Sequence, residues 1–497
     1  MSLLGAVALG VYAALCFHFM LPFETRVPGF STFTVLKLLA FVLILVSLPR
    51  WRSLDFGRAA GRAAAALAPF VFLAGWLVAV SVAHPVHPWW DVKLLLGFAA
   101  GAYAGLVLAV LGERETHRRA VFGLVLVGGV IAIAGGALEP LTTPAWDGLW
   151  RLFRPYVTVW DPVRGQAVPM GEIHRIEGGQ FRVAGFFSNF NQLANFLVIW
   201  FPLAAAAAAR ARRPGWPAWA GLAAAALVFA HTLTRSSILA AGGGCAVAVG
   251  AATVLGPGRR ADRPRWGPVA VACLLLVLAV AAITTRWLNP VRAAYAGIAV
   301  LLALVWANRK DRPASAIAPS SLRRFALVGI LILAAVPVTA WIQPVTVTRL
   351  GESGGSAVSW RRSVWTIAAR EVRNAPLIGP GYHAFWTELV RHRELAGAGI
   401  DSPHNLYLTA AVAGGIPAAG LLILGLVVLL RVAWRRAFEA GVAGDRLMGL
   451  ALLWYWVAYV PLGLVGQDIF RVNDAVFFFA WAGLTVTPPL TALRRAR

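Results

Sequence analysis

Apolar runs of about 17–22 residues recur along the whole chain, and each is long enough to cross a hydrocarbon core about 30 Å thick. Backbone that enters hydrocarbon must satisfy its hydrogen bonds internally, so runs of this length are helices. In order they place spans near 3–21, 32–49, 64–83, 93–111, 119–137, 191–209, 216–232, 237–256, 267–284, 289–307, 325–344, 405–430, 447–466 and 474–491. Charged residues make up only 13% of the 497, roughly half the share of a soluble protein. The expectation is an all-α polytopic membrane protein with about 12–14 transmembrane helices.

The net charge of +24 would fit a nucleic-acid binder if the basic residues formed one patch. Instead they sit in short blocks in alternate connections, from Arg50, Arg52, Arg58 and Arg62 to the tail Arg494, Arg495 and Arg497. By the positive-inside rule these loops and both termini face the cytoplasm. The opposite face then carries two long loops, at 138–190 and 345–404. The resulting division is N-terminal helices 1–137, a first outer loop 138–190, central helices 191–344, a second outer loop 345–404 and C-terminal helices 405–497. Cys16, Cys245 and Cys273 all lie in apolar runs, which argues against a disulfide framework or a zinc site. The first run has no preceding basic residue and no clear cleavage site, and is expected to be a retained span.

Loops this long are uncommon unless functional. In the first, Arg182 precedes Gly185, Ser188, Asn189 and Asn191, where the sixth span begins; a helix N-terminus beside an arginine can hold an anion, and an ordinary cap is the alternative. Between spans seven and eight, Thr232-Leu-Thr234-Arg235-Ser-Ser237 puts an arginine on the outer face, either for a partner or snorkelling to the interface. In the second long loop, Arg361 and Trp365 share a helical face, with Arg362, Arg370 and Arg373 close by; a solvated or lipid-phosphate-binding basic helix is the plainer reading. The loop ends on Asp401-Ser-Pro403-His404-Asn405, where His404 can serve as a general base and Asp401 can orient it or belong to the turn. His84, His87, His383 and His392 lack a third ligand at convincing spacing, so no metal is expected. Arginines with one histidine and few acids fit a lipid-linked diphosphate substrate, the guanidinium groups neutralising the leaving group.

These motifs, in this order, resemble the O-antigen ligase/polymerase superfamily. The residues are Arg182-x-x-Gly-Phe-x-x-Asn-x-Asn, Leu-Thr-Arg235-Ser, Arg361-x-x-x-Trp365 with Pro376-Leu-Ile-Gly-x-Gly381, and His404-Asn405-Leu-Tyr-Leu followed by Gly414-Gly415. The resemblance covers roughly 180–430. It implies a multi-helix bundle of the GT-C type in the bacterial inner membrane, with the active site facing the periplasm. It also implies inverting, metal-independent, cofactor-free transfer of a glycan from undecaprenyl diphosphate. His404 then resembles the catalytic histidine, Arg235 and Arg361 the essential arginines, and Arg182 a third substrate-contacting arginine; Arg362 is a further candidate for the diphosphate, with Asp401, Asn405 and Trp365 in support. The acceptor is lipid A-core oligosaccharide in a ligase and another lipid-linked repeat in a polymerase; a protein O-oligosaccharyltransferase is a further member type. Fourteen spans is one pair more than is usual in the family, and the adjacency of Arg361 and Arg362 leaves open which fills the role. A transporter of lipid-linked glycans would instead favour paired ionisable residues near mid-membrane, where Lys37 is one of few.

Overall fold

The computed structural model describes residues 56–83, 98, 102, 105, 109, 115–138, 158–161, 166–169, 190–211, 214–232, 234–254, 317–342, 356–391, 403–440, 443–464 and 472–487. The helices are α1 (Phe56–Ala83), α2 (Glu115–Leu138), α3 (Phe190–Arg210), α4 (Trp216–His231), α5 (Arg235–Val254), α6 (Pro319–Ile342), α7 (Ser356–Asn374), α8 (Tyr382–Arg391), α9 (Leu406–Glu439), α10 (Ala443–Leu462) and α11 (Val472–Val486). The chain is an all-α polytopic membrane protein; the described residues also include a short antiparallel hairpin in the first long loop, β1 (Thr158–Asp161) with β2 (Gln166–Pro169), which hydropathy does not announce. Among the described residues, segments 63–82, 193–210, 320–339 and 406–439 are long and apolar enough to cross a membrane, and 125–138, 216–231 and 236–252 are shorter apolar helices. The expected spans at 3–21, 32–49, 267–284 and 289–307 lie outside the described residues, and 93–111 is described only at Phe98, Ala102, Gly105 and Ala109.

Hydrogen bonds and one close approach fix the directions of six of these helices. The start of α6 meets the end of α3, where Ser321 Oγ donates to Ala209 O (2.9 Å) and the Arg324 guanidinium donates to Ala211 O. At the other end, Thr234 Oγ1, in the α4–α5 turn, donates to Asn191 Oδ1 in the first turn of α3 (3.1 Å). His231 at the end of α4 faces Thr339 Oγ1 near the end of α6 (3.4 Å). α10 starts beside Arg210 at the end of α3, since a Cβ on Gly444 would lie 3.3 Å from Arg210 Nη2. It finishes against the start of α9, where Leu406 N donates to Gly463 O (2.6 Å) and Tyr407 OH to Val460 O (2.7 Å). Thus α3, α5 and α9 all begin at one end of the bundle, and α4, α6 and α10 finish there.

The core is built around α10. Residues Leu450–Tyr459 are buried on every side, as expected of a helix with neighbours all round. Trp454 and Trp456 are fully buried yet satisfied: Trp454 Nε1 donates to Ala241 O (2.6 Å) and Trp456 Nε1 to Thr485 Oγ1 (2.9 Å). Helices in lipid gain little from apolar burial and associate by close packing over small residues. Here Gly244 of α5 lets Trp454 lie flat, since a Cβ there would sit 2.6 Å from Trp454 Cδ1 and 2.7 Å from its carbonyl oxygen.

At the opposite end of the bundle, Arg436 and Arg446, which belong to one of the basic blocks between apolar runs, are buried. Arg436 is 5% exposed; its Nη1 donates to Leu484 O (3.0 Å) and Thr487 O (3.3 Å), and its Nη2 lies 3.8 Å from Asp445 Oδ1. Arg446 Nε donates to Ala440 O (2.5 Å). Both saturate carbonyls that helix ends leave open, so they stitch α9, α10 and α11 together. Helices also run past the hydropathy limits at this end. α9 extends to Glu439 rather than 430, and α6 starts at Pro319 rather than 325, because a helix needs no hydrocarbon to continue.

Gly244→Ala is expected to lower stability by about 1–3 kcal/mol by overpacking against Trp454, read as a lower thermal unfolding midpoint in detergent. Gly221→Ala, where nothing lies within 4 Å of the added atom, is the control and should leave the midpoint unchanged or slightly raised.

Candidate functional site

Within the second long loop, the described segment 356–391 folds as a helical hairpin against α9. On α7, Val364, Ile367 and Ala368 fall on one face and pack with Phe385 and Leu389 of α8 and Val412 of α9. Arg362, Thr366, Ala369 and Arg373 form the exposed stripe. Glu388 of α8 takes Arg370 Nη2 of α7 at 2.8 Å, which ties the two helices together, and Arg391 Nη1 of its own helix at 2.9 Å. Exposed pairs of this kind contribute about 0–1 kcal/mol each, so the apolar face carries the packing.

The connecting turn, Pro376 to Gly381, docks into a break in α9. Gly414 (φ −152°, ψ 22°) and Gly415 (φ 75°, ψ −174°) leave the helical region. In an unbroken helix Ile416 N–H would bond Val412 C=O. Here Ile416 N donates to Pro376 O (2.8 Å) and Val412 O accepts from Gly381 N (3.0 Å), so the turn sits inside the split pair. Trp76 of α1 donates its Nε1–H to Gly414 O (2.6 Å). The two glycine motifs are complementary surfaces: a Cβ at Gly379 would meet Val412 O at 2.6 Å and Gly415 N at 2.7 Å. Pro417 lies just below the break, where its missing N–H costs nothing.

Above the break, α9 begins at Asn405, whose side chain accepts from Tyr407 N and Leu408 N, both at 3.1 Å. This is a full N-cap. Immediately before it, His404 has φ 48°, and among the described residues it is the one non-glycine with positive φ. Such a conformation costs about 1–3 kcal/mol and persists where surroundings impose it. Those surroundings are visible on both sides: the cap at Asn405, and Pro403 O, which accepts from Trp365 Nε1 at 2.9 Å. The Trp365 indole N–H therefore points to the backbone before His404 rather than to a lipid surface. Arg361 lies one turn earlier on the same face of α7 and is half-buried, while Arg362 is exposed. Burial lowers the pKa of Arg361, since a desolvated guanidinium is costly to keep charged, and an anion beside it would offset that cost.

The Thr232–Ser237 motif and the start of α3 also meet. Besides Thr234 with Asn191, Ser237 Oγ donates to Asn195 Oδ1 (3.1 Å). Thr232 Oγ1 closes α4 on Phe229 O (2.7 Å), and His231 Nδ1 donates to Leu227 O (2.8 Å). Arg235, as the first residue of α5, starts at the same end of the bundle as His404. Arg182 and Asp401 lie outside the described residues. Trp76, Asn195 and Tyr407 were not among the expected site residues. A tryptophan in mid-span needs an acceptor, and that requirement is the signal for Trp76.

Residues 288–424 match the family model described as O-antigen ligase. The match supports the O-antigen ligase/polymerase superfamily for this chain. The ligase-like segment contains α6, the α7–α8 hairpin, His404 and the break in α9, and it ends within the lower part of that helix. Arg182 and Arg235 fall before it. No curated protein matches the chain.

Asn405→Ala is expected to cost about 0.5–2 kcal/mol by opening the start of α9, seen as a lower unfolding midpoint, whereas Asn405→Asp keeps an acceptor at the cap and most of the stability.

Proposed function

We propose that this chain is a membrane glycosyltransferase that moves a glycan from undecaprenyl diphosphate to a sugar hydroxyl, with lipid A-core oligosaccharide as acceptor. The observation that carries the reading is the Trp365–Pro403 bond inside the ligase-like segment, which ties the helix bearing Arg361 to the backbone of His404. His404 takes the proton of the acceptor hydroxyl as its oxygen attacks the anomeric carbon. The bond from that carbon to the diphosphate breaks on the opposite face, which inverts the configuration. Arg361, Arg235 and Arg182 neutralise the departing diphosphate, and no metal is required. Half-burial favours Arg361 over Arg362 for this role, because charge interactions strengthen as water is excluded. The bundle belongs to the GT-C type in this reading, in the bacterial inner membrane, with the α9 N-terminal end in the periplasm and both termini in the cytoplasm.

The test is transfer by the purified protein from a lipid-diphosphate glycan to lipid A-core, with and without chelator. His404→Ala is expected to lower the rate by about 10²–10⁴-fold, the usual contribution of a general base. Arg235→Ala and Arg361→Gln are expected to abolish measurable transfer, Arg362→Gln to retain it, and chelator to have no effect. Near-normal transfer by His404→Ala would refute the assignment of the base. Product elongated only on a second lipid-linked repeat, with lipid A-core untouched, would make the chain a polymerase.

A further inference from the structure

The α7–α8 hairpin is re-entrant, and its depth can be counted. Trp365 is level with Pro403, just above the start of α9, whereas Pro376 is bonded to Ile416. α7 therefore descends alongside the upper piece of α9 for about 16 Å, at 1.5 Å per residue. A spanning helix needs about 20 residues. Counted upward from Arg431, the first arginine at the far end of α9, that length ends near Ala411, at the level where the Pro376–Gly381 turn docks. On this count the break in α9 lies about one turn below the edge of the hydrocarbon, the hairpin tip reaches about 7 Å below it, and His404 stands about 10 Å above it.

What the tip exposes fits this level. Leu377 is 69% exposed and Ile416 60% exposed, and the two are backbone neighbours across the Pro376–Ile416 bond. One turn above Leu377 on the descending helix is Arg373, exposed, with no ion-pair partner among the described residues. Arg370, one turn above it, is engaged by Glu388 and Glu371. A position in the last turn of α7 also suits the helix dipole, but the dipole asks for no apolar pair beneath it. Arg373 is twelve residues from Arg361, about 18 Å along the helix, too far for one diphosphate group to engage both.

We propose that the tip of the α7–α8 hairpin is a seat for an anionic phospholipid of the adjoining leaflet, with Arg373 at its headgroup phosphate and Leu377 and Ile416 against its acyl chains. The occupant is anionic because the seat offers, at the edge of the hydrocarbon, a cation with no ion-pair partner among the described residues, and it is a phospholipid because the apolar pair lies directly below. Filling it would steady the turn that holds the two halves of α9 together. The proposal stands on the membrane setting and not on glycosyl transfer, so it can fail independently of that reading.

The test uses the full chain with Leu377→Cys labelled by a small fluorophore, Cys16 and Cys273 replaced by alanine, and the fully buried Cys245 retained. Two vesicle preparations have the same composition, four parts phosphatidylcholine to one part phosphatidylglycerol. In one the phosphatidylglycerol chains carry bromine as quencher; in the other an equal amount of phosphatidylcholine does. Brominated phosphatidylglycerol is expected to quench more strongly, corresponding to a local enrichment of about fivefold, the effect of one basic residue at an anionic surface. Arg373→Gln is expected to remove the excess and Arg373→Lys to keep it. Equal quenching in both preparations, or an excess that survives Arg373→Gln, would overturn the proposal. Absence of quenching by either lipid would place the tip under protein instead. Loss of the excess on adding undecaprenyl diphosphate would assign the seat to the donor lipid and equally overturn it.

Discussion

A single hydrogen bond, taken apart and remade with other partners, sets the form of the outer end of this protein. The Ile416 amide and the Val412 carbonyl would close one turn of α9 on each other; instead each bonds the Pro376–Gly381 turn. An unsatisfied peptide group near hydrocarbon costs several kcal/mol, so the break is tolerable only while the turn is docked. The indole of Trp76 does the same for Gly414 O from the other side. α9 and the α7–α8 hairpin are for this reason one structural unit, although their sequences lie in a predicted span and a predicted loop.

The candidate site inherits its geometry from that unit. The turn fixes the lower end of α7 against α9, and Trp365 fixes a point two to three turns higher, at Pro403. Two attachments determine the line of a helix, and Arg361 lies one turn beyond the second. His404 is held between the Pro403 carbonyl and the Asn405 cap in a backbone conformation it would not adopt freely. The rest of the bundle supplies the anchor: α10 binds the first turn of α9 through Gly463 and Val460, and is itself locked to α5 through Trp454. Rigid support of this kind is what keeps a charged group and a base at a set separation.

Much of the bundle was legible in the sequence because the hydrocarbon imposes a length. The expected span 191–209 is α3, Phe190–Arg210, and 216–232 is α4, Trp216–His231. Hydropathy measures the solvent, not the helix, which is why α1 starts at Phe56 rather than 64 and α9 runs on past Arg431. The burial of Arg436 and Arg446 was not legible, since a positive block near a span reads as a topology signal whether or not it faces water. The docking of the turn into the break was half legible. Gly414-Gly415-Ile416-Pro417 announces a broken helix, and Pro376 to Gly381 announces a turn, but nothing local says that each supplies the other's missing partner. The role of Trp365 was hidden for the same reason: its acceptor lies 38 residues away.

Amide hydrogen exchange at Ile416, followed in the intact protein in detergent, tests this account most directly. If the Pro376–Gly381 turn completes the helix, the Ile416 amide exchanges as slowly as the amides of the helical turns flanking the break, and Gly381→Pro, which deletes the donor to Val412, makes it fast. An Ile416 amide that exchanges at the rate of an open loop in the unaltered protein would contradict the docking, and with it the geometry assigned to His404 and Arg361.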